Sequence, residues 1–217
     1  MKNILLTLLI ITIMKSIKIE AQPPIEKGNF WATDLVELKK LDSTFKLDIR
    51  YATENNFTHK KVYNQARAFL QRPAAEALVA VNQELRKMGY GLLIFDGYRP
   101  WNITKIFWDL TPDSLKNFVA NPTKGSKHNR GCAIDLSLYD LKTGQEIEMP
   151  SGYDDFTNKS YSKYQGGTIL QRKYRDLLKK LMTQHGFLVY DYEWWHFDYK
   201  DWRKYQITNI PFEELKL

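Results

Sequence analysis

The chain carries a single cysteine, Cys132, among its 217 residues. That excludes an intrachain disulfide and any cysteine-cluster zinc or iron–sulfur site. It has only four histidines, few enough to weigh one by one. No internal repeat or low-complexity linker is visible. The apolar stretch from Ile4 to Met14 falls short of the roughly 20 residues that a membrane span requires. The positive surplus lacks clustering: Lys39-Lys40, Lys60-Lys61 and Lys179-Lys180 are separated pairs. We read them as solvated faces rather than as a nucleic-acid stripe, and expect no nucleic-acid partner. What remains is 43% hydrophobic and 14% aromatic, with 26% charged, a globular makeup with ample material for one core.

The N-terminus has the order of a secretory signal: Lys2, the apolar stretch, then a more polar segment ending at Ala21. The expectation is a signal over residues 1–21 and a single domain over 22–217, exported to the periplasm or beyond the cell. Without a cysteine nearby, no lipid anchor is expected after its removal. Loss of three lysines and one glutamate lowers the formal charge from +7 to +5.

Alternation over Phe45–Tyr51 predicts a strand with one apolar face, and residues 52–72 read as irregular. Pro73 suits a first helical turn, followed by Leu78, Val81, Leu85 and Met88 at helical spacing. Residues 91–96 predict a buried strand running into Gly97-Tyr98-Arg99-Pro100, and 101–110 a helix. A further strand is expected over 132–138 and a turn-rich loop, a potential lid, over 144–163. A helix over 168–185 follows, its apolar stripe made of Leu170, Leu177, Leu178, Leu181 and Met182. Residues 187–199 are strand-like. The fold class implied is α+β, an antiparallel sheet with flanking helices.

Three segments concentrate chemistry. In the strand after Gly131, residues Ala133, Asp135 and Ser137 share a small, polar face, while Cys132, Ile134, Leu136 and Leu138 share an apolar one. Gly131 permits a tight turn that could fold His128 back beside Asp135. A histidine and a carboxylate so placed make two thirds of a catalytic zinc site, which takes three protein ligands and keeps one position open. Glu193-Trp194-Trp195-His196 could supply the rest, with His196 as third ligand and Glu193 as general base. In a regular strand residues 193 and 196 face opposite ways, so a break is expected at Trp194-Trp195. Arg99, ending a buried strand, could bind a substrate carboxylate or a developing oxyanion. Other pairings stay open at this point: Asp135 with Arg130 or Arg99, and Arg99 with Asp96. Cys132 reads as a core residue, His59 as solvent-facing and His185 as a favourable helix-end residue.

Together, Asp48–Phe57, Phe95–Pro100, Ser126–Leu136, Tyr153–Phe156 and Glu193–His196 resemble the VanX-type D-alanyl-D-alanine dipeptidases. These are zinc peptidases related to D-Ala-D-Ala carboxypeptidases, with a hedgehog-like fold. The resemblance implies one Zn2+ per chain on His128, Asp135 and His196, Glu193 as base, and Arg99 stabilising the tetrahedral intermediate. It also implies that Ser126 helps bind substrate and that Asp155 lines the dipeptide pocket, pairing with the substrate ammonium. Cys132 departs from the small residue, such as serine, usual there. The activity implied is hydrolysis of the free D-Ala-D-Ala dipeptide. The alternatives are a D,D-carboxypeptidase acting on wall stem peptides, a zinc-containing module without hydrolysis, and a metal-free wall-binding protein. Oligomeric state is not readable from the residues.

Overall fold

The computed structural model describes residues 21–215, so the export segment expected over residues 1–21 lies outside that range but for Ala21. In chain order the elements are β1 (Leu35–Glu37), α1 (Leu38–Leu41), β2 (Lys46–Leu47), β3 (Phe69–Gln71), α2 (Arg72–Lys87), β4 (Tyr90–Asp96), α3 (Trp101–Leu110), β5 (Ala133–Asp140), α4 (Ile169–Gln184), β6 (Phe187–Val189) and β7 (His196–Tyr199). The main sheet runs β2-β4-β5-β7-β6, and β1 pairs with β3 in a separate ribbon. All pairings are antiparallel except β2 with β4. The α+β class is as the residues implied, but the β1–β3 ribbon was not anticipated. Its strands are three residues long, too short to show a period.

Residues Leu92 to Phe95 of β4 are buried without a break, as befits a central strand covered on both faces. The helix α2 lies on it with Ala74, Ala75, Leu78, Val81 and Leu85 inward. Asn82, also fully buried, stitches the layers. Its amide donates to Asp42 and Thr44 (2.8 and 2.9 Å), and its oxygen accepts the Leu92 N–H at 3.0 Å. A buried amide satisfied on both sides contributes order as well as stability.

Three expectations require correction. The strand predicted over Phe45–Tyr51 is cut to Lys46–Leu47, followed by a 3₁₀ turn at Arg50–Ala52. Thr53 and Asn56 hold this turn: the Thr53 hydroxyl donates to the Arg50 carbonyl at 2.8 Å, and the Asn56 amide donates to the carbonyls of Arg50, Thr53 and Lys60 (3.2, 2.7 and 2.9 Å). Backbone acceptors satisfied by a side chain have no need of a ladder. The stripe of α4 begins later than its periodicity suggests. Leu170 is 57% exposed, while Leu178, Leu181 and Met182 are buried together with Arg175. A capping box between Thr168 and Gln171 starts this helix out in solvent. Finally, residues 187–199 form a hairpin, not one strand. The break includes Trp194-Trp195, where it was expected, and begins at Tyr190.

Candidate active site

Sheet register brings the first two functional side chains together. Asp135 on β5 stands directly opposite His196, the first residue of β7. On the other flank, β4 skips a register position between Ile94 and Asp96, which sets Asp96 opposite Asp135. His128 arrives from a short 3₁₀ turn, His128–Arg130, closed by Gly131 at φ +65°. A side chain at Gly131 would be strained by that torsion and would collide with Leu35. The tight turn expected there is therefore present, and it folds His128 over the end of β5.

His128, Asp135 and His196 are all buried. His128 Nε2 lies 3.2 Å from His196 Nδ1 and 3.5 Å from Asp135 Oδ2, and His196 Nδ1 lies 3.0 Å from Asp135 Oδ1. Each imidazole is engaged on its far side. His128 Nδ1 donates to the Gly97 carbonyl at 2.7 Å, and His196 Nε2 donates to Asp198 Oδ1 at 2.8 Å. Two ring nitrogens and a carboxylate oxygen therefore converge, a donor set suited to a divalent metal. Burial works against charge on Asp135, but the two imidazoles hold its carboxyl well below the usual carboxylate range. Burial also works against the charged form of His196, yet Asp198 and Asp135 raise it to about 10.

Glu193 sits in the β6–β7 connection with Oε2 3.7 Å from His196 Nδ1. Burial pushes its carboxyl up to about 7; His196 opposes the rise and Asp135 adds to it. A carboxylate that exchanges its proton near neutrality is matched to general-base work. The break at Trp194-Trp195 is what allows residues 193 and 196 to address one place. Both tryptophans are buried, and Trp194 is pinned by its N–H to the Ser160 carbonyl and its indole to Ser151 Oγ (2.7 and 2.9 Å).

Arg99 lines the same cavity. Its guanidinium donates twice to Asp96 Oδ2 (3.0 and 2.6 Å), lies 4.0 Å from Asp135 and packs on the Phe107 ring. Tyr63 holds the other oxygen of Asp96 at 2.8 Å. The pairing with Asp96 thus aims the guanidinium without removing it from the cavity. Arg130, the other candidate partner for Asp135, instead pairs with Glu26. Ser126 lines the cavity too, and its hydroxyl accepts the His128 N–H at 3.2 Å.

Asp155 is not among the lining residues; its neighbour Asp154 is. Asp154 has φ +59°, a torsion that aspartate tolerates better than most residues. Its carboxylate accepts the Tyr51 hydroxyl at 3.1 Å. Burial, then the charges of Asp135 and Glu193, push its carboxyl well above the usual range. Tyr153 donates to Asp135 Oδ2 at 3.0 Å and touches Tyr51 at 3.1 Å. Asp154, Tyr51 and Tyr153 had no role in the sequence reading, and nothing in their spacing announces one. Another part of the lining was also missed: Asn117 to Ala120 border the cavity, and Phe118 stacks on Phe156 at 5.0 Å with rings 8° from parallel. Cys132 is fully buried with its thiol pushed up to about 12 by burial. His59 is exposed, and His185 pairs with Glu84 at 2.8 Å.

The sequence profile of the peptidase M15 family, described as D-Ala-D-Ala dipeptidase, matches residues 31–213. The D-alanyl-D-alanine dipeptidase of Escherichia coli K12 is 34% identical over 166 residues, 76% of this chain and 84% of that one. The enzyme of the same name from Enterococcus faecalis is 36% identical over 69% of this chain and 83% of its own length. That from Enterococcus faecium is 34% identical, over 71% and 85%. With a converging His/Asp/His donor set beneath a glutamate and an arginine, the chain belongs to the peptidase M15, D-Ala-D-Ala dipeptidase family of metallopeptidases.

Proposed function

We propose that this chain hydrolyses the D-alanyl-D-alanine dipeptide with one zinc ion held by His128, Asp135 and His196. The carrying observation is the convergence of those three donors in a small cavity lined by both Arg99 and Asp154. Zinc bonds of about 2.0–2.1 Å in a tetrahedron place ligand atoms about 3.3 Å apart. Here the two ring nitrogens are 3.2 Å apart, and one donor atom from each of the three residues lies within 4.8 Å of the others. Two histidines and one carboxylate, all three lining the cavity, would suit a catalytic zinc site.

Zinc, when bound, supplies the Lewis acidity that makes water nucleophilic near neutral pH. Glu193 is placed to take a proton from the attacking water and return it to the leaving amine as the C–N bond breaks, so each hydrolysis would yield two molecules of D-alanine. Arg99, held in place by Asp96, faces the charge that develops on the carbonyl oxygen. Removal of such a donor costs about 100- to 1,000-fold in rate. Tyr51 and Tyr153, both raised well above ordinary tyrosines by burial, remain protonated and act as donors. Ser126 stands where it can meet the substrate backbone. The ammonium falls to Asp154: a carboxylate disfavoured by burial and by two neighbouring carboxylates gains most from a cation.

The cavity volume, about 200 Å3, lies below the range usual for drug-sized ligands and favours a dipeptide over a wall stem. A substrate panel tests this: D-Ala-D-Ala, L-Ala-L-Ala, N-acetylated D-Ala-D-Ala and a pentapeptide stem, each with and without chelator. The reading expects chelator-sensitive turnover of the first alone. Faster turnover of the stem would turn the assignment to a D,D-carboxypeptidase. Export is part of the same proposal, supported by the order of residues 1–21 and checked by cell fractionation.

A further inference from the structure

The two imidazoles of the metal site are oriented by unlike partners. His128 gives its Nδ1 proton to a backbone carbonyl, that of Gly97, whereas His196 gives its Nε2 proton to a carboxylate, Asp198. Asp198 follows His196 by two positions on β7, so both side chains stand on one face of the strand. It is buried, 7% exposed. Its second oxygen lies 3.2 Å from Lys127 Nζ. Lys127 immediately precedes His128 and rests between the rings of Tyr190 and Trp202, at 5.7 and 5.5 Å. The carboxylate is thus balanced by a cation carried on the segment that bears the other histidine.

We propose that Asp198 is a positioning residue for the metal: through its bond to Nε2 it selects the His196 tautomer whose Nδ1 lone pair faces Asp135 and His128. Lys127 supplies the counter-charge that allows a carboxylate to be buried there. The inference rests on the zinc reading above. A carboxylate behind a ligating imidazole fixes its orientation and raises its basicity, and its loss typically lowers metal affinity 10- to 100-fold. An amide in its place keeps an oxygen for the Nε2 proton while losing the charge.

Two measurements test this on the full chain. Zinc affinity is read by competition with a chromogenic chelator for wild type, Asp198→Ala and Asp198→Asn, with circular dichroism to confirm folding. The expectation is a 10- to 100-fold loss for D198A and a smaller loss for D198N. Equal affinity in folded D198A and wild type would overturn the inference. Independently of any variant, long-range 15N–1H correlation on zinc-loaded wild type should show His196 protonated at Nε2 and metal-bound at Nδ1. A proton on Nδ1 would overturn it even if the variants failed to fold. Absence of zinc binding by wild type would instead overturn the metal reading, and this inference with it.

Discussion

Asp154→Asn against Asp155→Asn is the substitution pair that best separates the structure from its sequence. The two carboxylates are adjacent, yet only Asp154 faces the cavity. If it receives the substrate ammonium, removing its charge breaks a charge-assisted pair in a confined site. Truncating one partner of a buried pair costs about 2–5 kcal/mol. Asp154 keeps some contact with solvent, which places it in the lower part of that range. A tenfold change is about 1.4 kcal/mol, so kcat/KM for D-Ala-D-Ala should fall about 30- to several-hundred-fold in D154N and stay within about threefold in D155N. The dipeptide with an acetylated amine supplies the control. Wild type should reject it strongly, and D154N should discriminate far less between the free and blocked forms. Undiminished turnover by D154N, or an equal loss in D155N, would refute the assignment.

The same substitution carries a stability signature of opposite sign. The folded state raises the Asp154 carboxyl well above the ordinary aspartate range, chiefly by burial. Such a group favours the fold below its unfolded pKa and loses that contribution as pH climbs through the folded one. Asparagine does not titrate. In chelator, D154N should therefore gain in Tm relative to wild type between pH 4 and pH 8. Parallel Tm curves across that interval would show that the carboxylate is not under the burial stress inferred here. Loss of activity with gain of stability is the pattern expected where a site is built for a ligand rather than for the fold.

Glu193→Gln should lower kcat by about 100- to 10,000-fold while zinc affinity stays within a few-fold, and unchanged kcat would retire the proton transfer. Acidification should weaken metal binding, because His196, raised to about 10 by Asp198 and Asp135 against the effect of burial, must release its proton to bind. Apparent zinc affinity by equilibrium dialysis is expected to drop about tenfold per pH unit between pH 8 and pH 6, and a flat profile would contradict this. Phe118→Ala opens the wall that stacks on Phe156 and should raise turnover of longer peptides relative to D-Ala-D-Ala. An unchanged ratio would show that this stack does not limit the substrate.

The converging trio of His128, Asp135 and His196 was legible because its chemistry leaves few choices. A small polar face at Ala133, Asp135 and Ser137 beside an apolar one, and a glutamate three residues before a histidine, have little other use in a core. What brings them together was not legible: the pairing of Asp135 with His196 is a register between strands some 60 residues apart, and no local pattern specifies it. Asp198 escaped notice for a related reason. Its place on the face of His196 follows from strand alternation, but only the fold brings Lys127 to its second oxygen. The shortened strand at Phe45–Tyr51 shows a long-range side effect of a local choice. Asn56 captures the carbonyl of Arg50, the chain turns, and Tyr51 is carried inward to hold Asp154. That hydroxyl and the left-handed torsion at Asp154 accompany the choice of which of two neighbouring carboxylates lines the cavity. Family motifs tolerate an uncertainty of one residue, whereas a pocket does not: Asp154 lines the cavity and Asp155, the next residue, does not.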